Sequence, residues 1–226
     1  MDNFNDQPEV LNSPYDFQPY FDNPPANAKI KELGTLHLPT GQIIASDPLA
    51  PMNPAPFTET IAGGDYPVAA VIINDPEGGD RYALARIKIT NEPAVKWETA
   101  ITTMDDWQPD NLFGYSVDSG LGGFMDKQTF IEFSRFELDF INNNPPGSNL
   151  YDHYFKDKLK QNAENGQDEG DWLNYILPDH KPDNIVMFHS GWGEGFYSSY
   201  WGIDAEGNIC SLVTDFQVIE SPETGN

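Results

Sequence analysis

The sequence predicts an α+β protein with a mainly antiparallel sheet or sandwich and a helical insert at about residues 127–180. Strand-like segments rich in β-branched and apolar residues lie in both halves of the chain, and Gly, Pro, Asn and Asp separate them. A helical period appears only between the two halves. The order strands, helices, strands is typical of an α+β fold, and no internal repeat indicates another architecture.

The 226 residues fit one large domain, or one domain with an additional terminal segment. We assign residues 1–28 to an N-terminal arm rich in proline and asparagine, and residues 29–220 to a single α+β domain that contains the insert. Pro24 and Pro25 block regular structure in the arm. The arm also carries Tyr15, Phe17, Tyr20 and Phe21. It either packs on the domain through these rings or stays mobile, and the sequence leaves both alternatives open.

The first half of the domain is predicted to be strands. Residues 66–73 and 82–90 are apolar, β-branched and joined by a connector of turn residues, so we expect them to pair. A hairpin is predicted for residues 34–45, around a turn at 39–41. Residues 94–102 predict a further strand.

The insert begins with a helix after Asp126, which is predicted to cap it. The helical spacing is that of Phe130, Phe133, Glu137 and Ile141. A second helix is predicted for 151–163 and a short one for 172–176. Strands are predicted again at 184–189 and 209–216. The residues at 204–208, before the second of them, are typical of a β-hairpin turn.

The chain is strongly acidic, because 36 Asp and Glu residues face 12 Lys and Arg residues and give a net charge of −24. Such a chain repels phosphates, which argues against nucleic acid and anionic membranes as partners and favours a basic protein. Adaptation to salt or simple solubility is the alternative explanation. No apolar stretch approaches the roughly 18 residues of a membrane-spanning helix. The first residues lack a signal-peptide pattern and Cys210 has no disulfide partner, so a cytoplasmic protein is expected.

The most informative segment runs from His189 to Phe216. Its part before Asp204 is predicted to be a loop that places glycines beside large aromatic residues. Glycines beside rings mark close backbone approaches, either in a core cluster or under an exposed ligand or partner site. We expect Trp192 and Tyr197 to be exposed, with Glu194 as a charge at the rim. The full predicted binding set is Trp192, Glu194, Tyr197, Tyr200 and Asp204.

Catalytic residues are not assigned, but three carboxylates are candidates if the protein is an enzyme. Asp118 and Asp126 bracket a glycine-rich loop at 114–126, where a carboxylate pair can act as acid and base, and Glu194 is the third. The structural alternative is that Asp118 binds loop amides and Asp126 caps the helix. His189 and Ser190 do not form a convincing dyad, because neighbouring strand residues point to opposite faces.

No cofactor and no metal site are predicted. The histidines at 37, 153, 180 and 189 lack the spacing of metal ligands. The run Gly191–Gly195 lacks the GxGxxG pattern and the Lys-Ser/Thr of a P-loop, and its glutamate disfavours phosphate. The turn at 204–208 lacks the calcium-loop pattern, and its Asp and Gly fit a turn.

Short motifs along the chain resemble a bacterial family of proteins of unknown function, numbered 4241. They are Leu38-Pro-Thr-Gly41, Ser46-Asp-Pro48, Pro56-Phe57, Gly64-Asp-Tyr-Pro-Val68, Gly114-Tyr115, Val117-Asp-Ser-Gly120, Gly123-Phe-Met-Asp126, Ser190-Gly-Trp-Gly-Glu-Gly195, Tyr200-Trp-Gly202 and Leu212-Val-Thr-Asp-Phe216. The resemblance covers about residues 36–216 and implies a domain boundary but no activity.

These observations predict one of three functions. The first is an acidic protein-binding module, by analogy an immunity protein (an antitoxin) that neutralises a basic toxin domain. The second is a hydrolase that uses the carboxylate pair in the 114–126 loop. The third is a structural module of a larger assembly.

Overall fold

Two antiparallel sheets pack face to face in the computed structural model. It describes residues 12–13, 15–76, 79–105, 112–162 and 170–219. The strands are β1 (Ala28–Leu38), β2 (Ile43–Ser46), β3 (Gly64–Asp75), β4 (Gly79–Lys88), β5 (Lys96–Thr99), β6 (Tyr115–Val117), β7 (Leu121–Asp126), β8 (Trp172–Ile176), β9 (Asn184–His189), β10 (Gly195–Ile203) and β11 (Ile209–Asp215). The helices are α1 (Gln18–Asp22), α2 (Lys127–Asn143) and α3 (Lys156–Lys160), the last of which continues a π-helical turn at Tyr151–Phe155.

The larger sheet has seven strands in the order β1-β3-β4-β11-β10-β5, with β6 paired to β10. The smaller sheet has four strands in the order β2-β7-β9-β8. Every pairing between named strands is antiparallel. The prediction of an α+β fold with a mainly antiparallel sandwich is therefore confirmed.

The main core lies between the two sheets. Side chains alternate along each strand, so Ala85 and Ile87 of β4 enter this core while Arg86 and Lys88 lie on the other face. The smaller sheet supplies Phe124, Val186 and Phe188, which are fully buried. Each such side chain contributes about 1.5–3 kcal/mol on burial.

A second core lies between the smaller sheet and the helices. Phe133 of α2, Phe155 and Tyr175 pack together there, and the rings of Phe155 and Tyr175 are 4.8 Å apart. Asp126 caps α2 as predicted, since its carboxylate accepts the amide of Gln128 at 2.8 Å. Among the described residues, no helix is long and apolar enough to cross a bilayer.

A third core lies on the outer face of the larger sheet, beneath the described part of the N-terminal arm. Phe17 is fully buried there, with its ring 5.1 Å from that of Trp97. The indole Nε1 of Trp97 donates to Asp16 at 3.1 Å, which ties the arm to β5. Of the two alternatives left open by the sequence, the arm at residues 15–28 takes the first and packs on the domain.

The hairpin predicted for residues 34–45 is wrong. The turn itself is present, because the amide of Gly41 donates to the carbonyl of Leu38 at 3.3 Å. The strands on either side belong to different sheets, however, since β1 pairs with β3 and β2 pairs with β7. Leu36 and Ile43 thereby enter the main core from opposite sides.

The short helix predicted for residues 172–176 is also wrong, because this segment is β8 at the edge of the smaller sheet. Its backbone pairs with β9, with Trp172 opposite Phe188. Side chains then alternate, so Trp172 packs against the main core while Leu173 and Tyr175 pack against the helical one. The sequence of so short an apolar segment does not distinguish a helix from a strand, and the pairing with β9 makes it a strand.

Candidate functional site

A rigid turn joins β9 to β10 at residues 190–194. Gly191 has φ +63°, and a Cβ there would lie 2.9 Å from the carbonyl oxygen of Tyr82. This position therefore requires glycine. Ser190 is fully buried, and its hydroxyl donates to the carbonyl of Gly193 at 2.8 Å. These contacts fix the turn and leave the Ser190 hydroxyl engaged with the backbone, in keeping with the rejection of a His-Ser dyad.

Trp192 projects from this turn with 52% of its surface exposed. The guanidinium carbon of Arg81 lies 4.2 Å from the centroid of its ring, a cation–π contact. The indole Nε1 donates to the carbonyl of Gln217 at 3.2 Å, and Arg81 Nη1 donates to the carbonyl of Gly191 at 3.1 Å. The expected exposure of Trp192 is confirmed, and its orientation is fixed by contacts on the ring face and at Nε1.

Arg81 also lines a cleft of about 510 Å³ beside the turn. β4, β9 and the turn between β6 and β7 form its walls, together with residues 170–171 just before β8, the π-helical turn and α3. Its polar lining residues are Asp80, Arg81, Ser119, Tyr151, Asp171 and His189. Trp192 does not line this polar cleft itself, but its contact with Arg81 places it beside the cleft, at the rim.

His189 enters this cleft from the end of β9. Burial lowers the pKa of its imidazole, Arg81 lowers it further, and Asp171 acts in the opposite direction. The amide of His189 donates to the carbonyl of Asp171 at 2.8 Å, which fixes the two residues side by side. Because the pKa lies below its ordinary value, the imidazole is neutral at neutral pH.

Asp80, which lines the cleft from β4, is ionised in its pairing with Lys29 Nζ at 2.8 Å. A hydrogen bond from Asn74, followed by one from Lys29, lowers the pKa of this carboxyl. Asp118 and Glu194 are exposed nearby, in the β6–β7 turn and the β9–β10 turn. The cleft and its rim therefore carry an excess of negative charge.

The remaining members of the predicted binding set do not join this site. Tyr197 is only 3% exposed and its hydroxyl donates to the carbonyl of Gly193, so its expected exposure is wrong. Tyr200 packs in the third core, with its ring 5.4 Å from that of Phe17. Asp204 follows the last residue of β10, seven positions after Tyr197 and about 23 Å from it along the strand direction. Tyr197 and Tyr200 point to opposite faces of β10 and pack in the main and the third core, so only the Trp192 end of the aromatic segment is at the rim of the cleft.

Asp204 is a turn residue. Its carboxylate accepts the amides of Glu206 and Asn208 at 2.9 and 2.8 Å. These hydrogen bonds, the one from Asn208 foremost, lower the pKa of the carboxyl. The structural interpretation of the 204–208 turn is therefore confirmed.

The two carboxylates of the 114–126 loop do not share a cleft. β7 separates them, and its six residues place Asp126 about 17 Å from the turn that holds Asp118. Asp126 is fully buried, and besides capping α2 it accepts the amide of Thr40 at 3.0 Å and its hydroxyl at 2.8 Å. Asp126 is thus fully engaged as a structural residue, and no acid–base pair forms at this loop.

Asp47 is the structural carboxylate that the sequence did not reveal. It is fully buried, and Oδ2 accepts the amides of Asp118 and Ser119 at 3.0 and 2.7 Å. Oδ1 accepts the Ser119 hydroxyl and the amides of Leu49 and Ala50. Asp47 therefore holds the glycine-rich turn that borders the cleft, and Asp118, whose side chain is the structural alternative in the sequence, contributes its amide instead.

Arg81 and Asp171 were also missed as site residues. Arg81 is one of only 12 basic residues, and its position at the start of a strand in so acidic a chain was the available signal. Asp171 gave none, because only the pairing of β8 with β9 brings it beside His189. Within the described part of the chain, no group of three or more His, Cys, Asp or Glu side chains is placed to hold a metal ion.

The fold and this site define an acidic two-sheet protein with a fixed aromatic residue at the rim of a polar cleft. The family described as "Protein of unknown function (DUF4241)" matches residues 36–214, which is most of the chain. The chain belongs to this family, and the resemblance seen in the sequence is confirmed. Comparisons with curated proteins and with solved structures gave no match.

Proposed function

We propose that the protein is a binding module for a basic protein partner, which docks on the surface formed by Trp192 and the adjoining cleft. In the form we favour, the partner is the toxic domain of a bacterial effector and binding neutralises it. The observation that carries the proposal is the half-exposed indole of Trp192, held in one orientation by Arg81 and Gln217.

A fixed exposed tryptophan suits a protein interface. Interface energy concentrates in a few large residues, among which Trp is the most enriched, and these sit beside pockets that exclude water. Ordering a side chain on binding costs about 0.5–1.5 kcal/mol, a cost that Trp192 has already met in the free protein. The turn beneath it is equally preorganised, since Gly191 and Ser190 fix its backbone.

The charge around Trp192 favours a basic partner. Asp80 and Asp171 line the cleft, and Asp118 and Glu194 are exposed near its rim. With a net charge of −24 on the whole chain, this surface attracts a cationic domain over distance and repels an acidic one. A Lys or Arg side chain of the partner fits a cleft of this polarity.

The proposal is tested by affinity capture from the native lysate at moderate salt, followed by binding measurements with the purified partner. Trp192→Ala is expected to weaken binding by about 2 kcal/mol or more, roughly thirtyfold. Glu194→Lys is expected to slow association, and Glu206→Lys is its matched control, since Glu206 lies exposed in the β10–β11 turn at the other end of β10. Co-expression with the captured partner should relieve growth inhibition.

Two outcomes contradict the proposal. One is that no basic protein is retained by the wild-type chain. The other is that a partner binds Trp192→Ala and Glu194→Lys as tightly as it binds wild type and Glu206→Lys. Circular dichroism and thermal unfolding of each variant show whether a loss of binding comes from misfolding.

A further inference from the structure

A second pocket, of about 240 Å³, lies on the outer face of the larger sheet. β4, β11, the loop at 90–93 and α1 of the arm form it. Its β4 residues, Arg86 and Lys88, lie about 20 Å along the strand from the cleft residues Asp80 and Arg81. This pocket is therefore separate from the proposed partner surface and independent of it.

Two cationic side chains line this pocket from the same face of β4. No salt bridge joins Arg86 or Lys88 to a carboxylate in the described part of the chain. The Nε atom of Arg86 is buried, and no hydrogen-bond acceptor for it occurs among the described residues. In a chain with three times as many acidic as basic residues, two adjacent cations without a salt bridge are unexpected.

The guanidinium of Arg86 is held in place by the arm and is partly withdrawn from water, which disfavours its charged form. Its carbon lies 3.9 Å from the centroid of the Phe21 ring, so stacking on the arm fixes the plane of the group. Burial lowers its pKa, while Asp22 and Glu32 act in the opposite direction. The Arg86 side chain is half-buried, and a guanidinium with a buried Nε is ordinarily supplied with acceptors. Its planar fork matches a carboxylate with two parallel hydrogen bonds.

The same pocket also has an acidic side. Asp22 of α1 and Glu92 of the 90–93 loop line it, and both are exposed. A simple anion that approached Arg86 would meet these carboxylates and the negative field of the whole chain. A ligand with an ammonium group as well as a carboxylate is attracted to both sides and carries no net charge.

The geometry points to a binding site for a free α-amino acid, with its carboxylate on Arg86 and Lys88 and its ammonium group on Asp22 and Glu92. The pocket is smaller than the roughly 300–1,000 Å³ of sites for drug-sized ligands, which fits a ligand of this size. One wall belongs to the arm, so the bound ligand also bridges the arm to the sheet.

The test is an NMR titration of the full chain over the millimolar range with three probes. L-alanine carries both groups, propionate lacks the ammonium group, and ethylamine lacks the carboxylate. We expect L-alanine to shift the amide signals of Thr90, Cys210 and Ser211, which lie at the pocket. Propionate and ethylamine should leave them unchanged at the same concentrations.

Variants separate the two halves of the site. Lys88→Gln should weaken L-alanine binding about tenfold, the effect of one hydrogen bond to a charged group. Lys160→Gln makes the same change at an exposed residue of α3, over the other sheet, and should have no effect. Asp22→Asn keeps an oxygen for its hydrogen bond from Gln18, and should weaken L-alanine while allowing propionate to bind.

The proposal is overturned if L-alanine causes no shifts at the pocket, or if propionate binds the wild-type chain as tightly as L-alanine. It is equally overturned if Lys88→Gln and Lys160→Gln bind L-alanine alike. Arg86 is left unchanged in these tests because its stacking on Phe21 also supports the arm.

Discussion

Asp215 is a buried carboxylate whose replacement should stabilise the protein. It lies at the end of β11 with 7% of its surface exposed, and its Oδ1 accepts the amide of Gln217 at 2.8 Å. Burial raises the pKa of this carboxyl from 3.8 to about 6, and the hydrogen bond from Gln217 only partly opposes the rise. Asp215→Asn keeps an oxygen for that amide and removes the charge.

The sign follows from the raised pKa. Well below pH 3.8 the Asp215 carboxyl is protonated in both the folded and the unfolded state, so its burial does not lower the free energy of unfolding. As the pH rises from 3.8 towards 6, the carboxyl ionises in the unfolded chain first, and the free energy of unfolding falls. The asparagine variant is neutral throughout. Its advantage over wild type should be about 1.5 kcal/mol at pH 5 and reach about 3 kcal/mol at pH 7.5, as an upper limit, because the new amide nitrogen needs its own acceptor.

Urea unfolding of both proteins between about pH 5 and pH 7.5 measures this advantage. All other carboxylates are common to the two chains, so their titration cancels in the difference. This range also keeps the acidic chain above the pH at which its net charge vanishes. An advantage that does not grow with pH, or a variant less stable than wild type at pH 7.5, refutes the argument from burial.

Three further substitutions test the site and the arm. Gly191→Ala should lower the free energy of unfolding by about 1–3 kcal/mol, because φ is +63° and the Cβ meets the carbonyl of Tyr82; unchanged urea unfolding contradicts this. Phe17→Ala should cost about 3–5 kcal/mol if the arm is an integral part of the fold, and a loss below about 1 kcal/mol in thermal unfolding would mean that it is not. Asp204→Asn should destabilise the protein at neutral pH, since its lowered pKa reports stability that is present above the unfolded pKa and lost in acid. Its difference from wild type should therefore shrink as pH falls, and a difference that grows in acid contradicts the assignment.

Local chemistry was sufficient to predict the strands whose neighbours lie close in sequence. β3 and β4 pair across a short connection, and the turn residues between them mark where each strand ends. The turn at 204–208 and β11 were predicted in the same way, but β10, which pairs with β11, was expected to be a loop. The turn at 39–41 was equally clear, but nothing local shows that the next strand joins a different sheet. That choice depends on β7, about 80 residues further along the chain.

Only the part of the candidate site that depends on local sequence was predicted. Trp192 and Glu194 were found because glycines surround them in the sequence, and the turn they occupy is a local structure. Tyr197 was misplaced because its face depends on where β10 begins, and this strand starts at Gly195, inside the segment expected to be a loop. Asp47 and Asp171 act through partners 72 and 18 residues away, which a single sequence does not reveal.

The two proposed sites should respond differently to salt. Asp47 and Asp126 are buried and hydrogen-bonded within the fold, so the field that a partner meets comes from exposed carboxylates such as Asp118 and Glu194. That field is screened beyond about 8 Å at physiological ionic strength, and association with a basic protein should slow as salt rises. An amino acid carries no net charge and contacts its pocket directly, so its affinity should change little over the same range. If both interactions weaken in parallel, the second pocket is responding to net charge, and the argument for a zwitterionic ligand there fails.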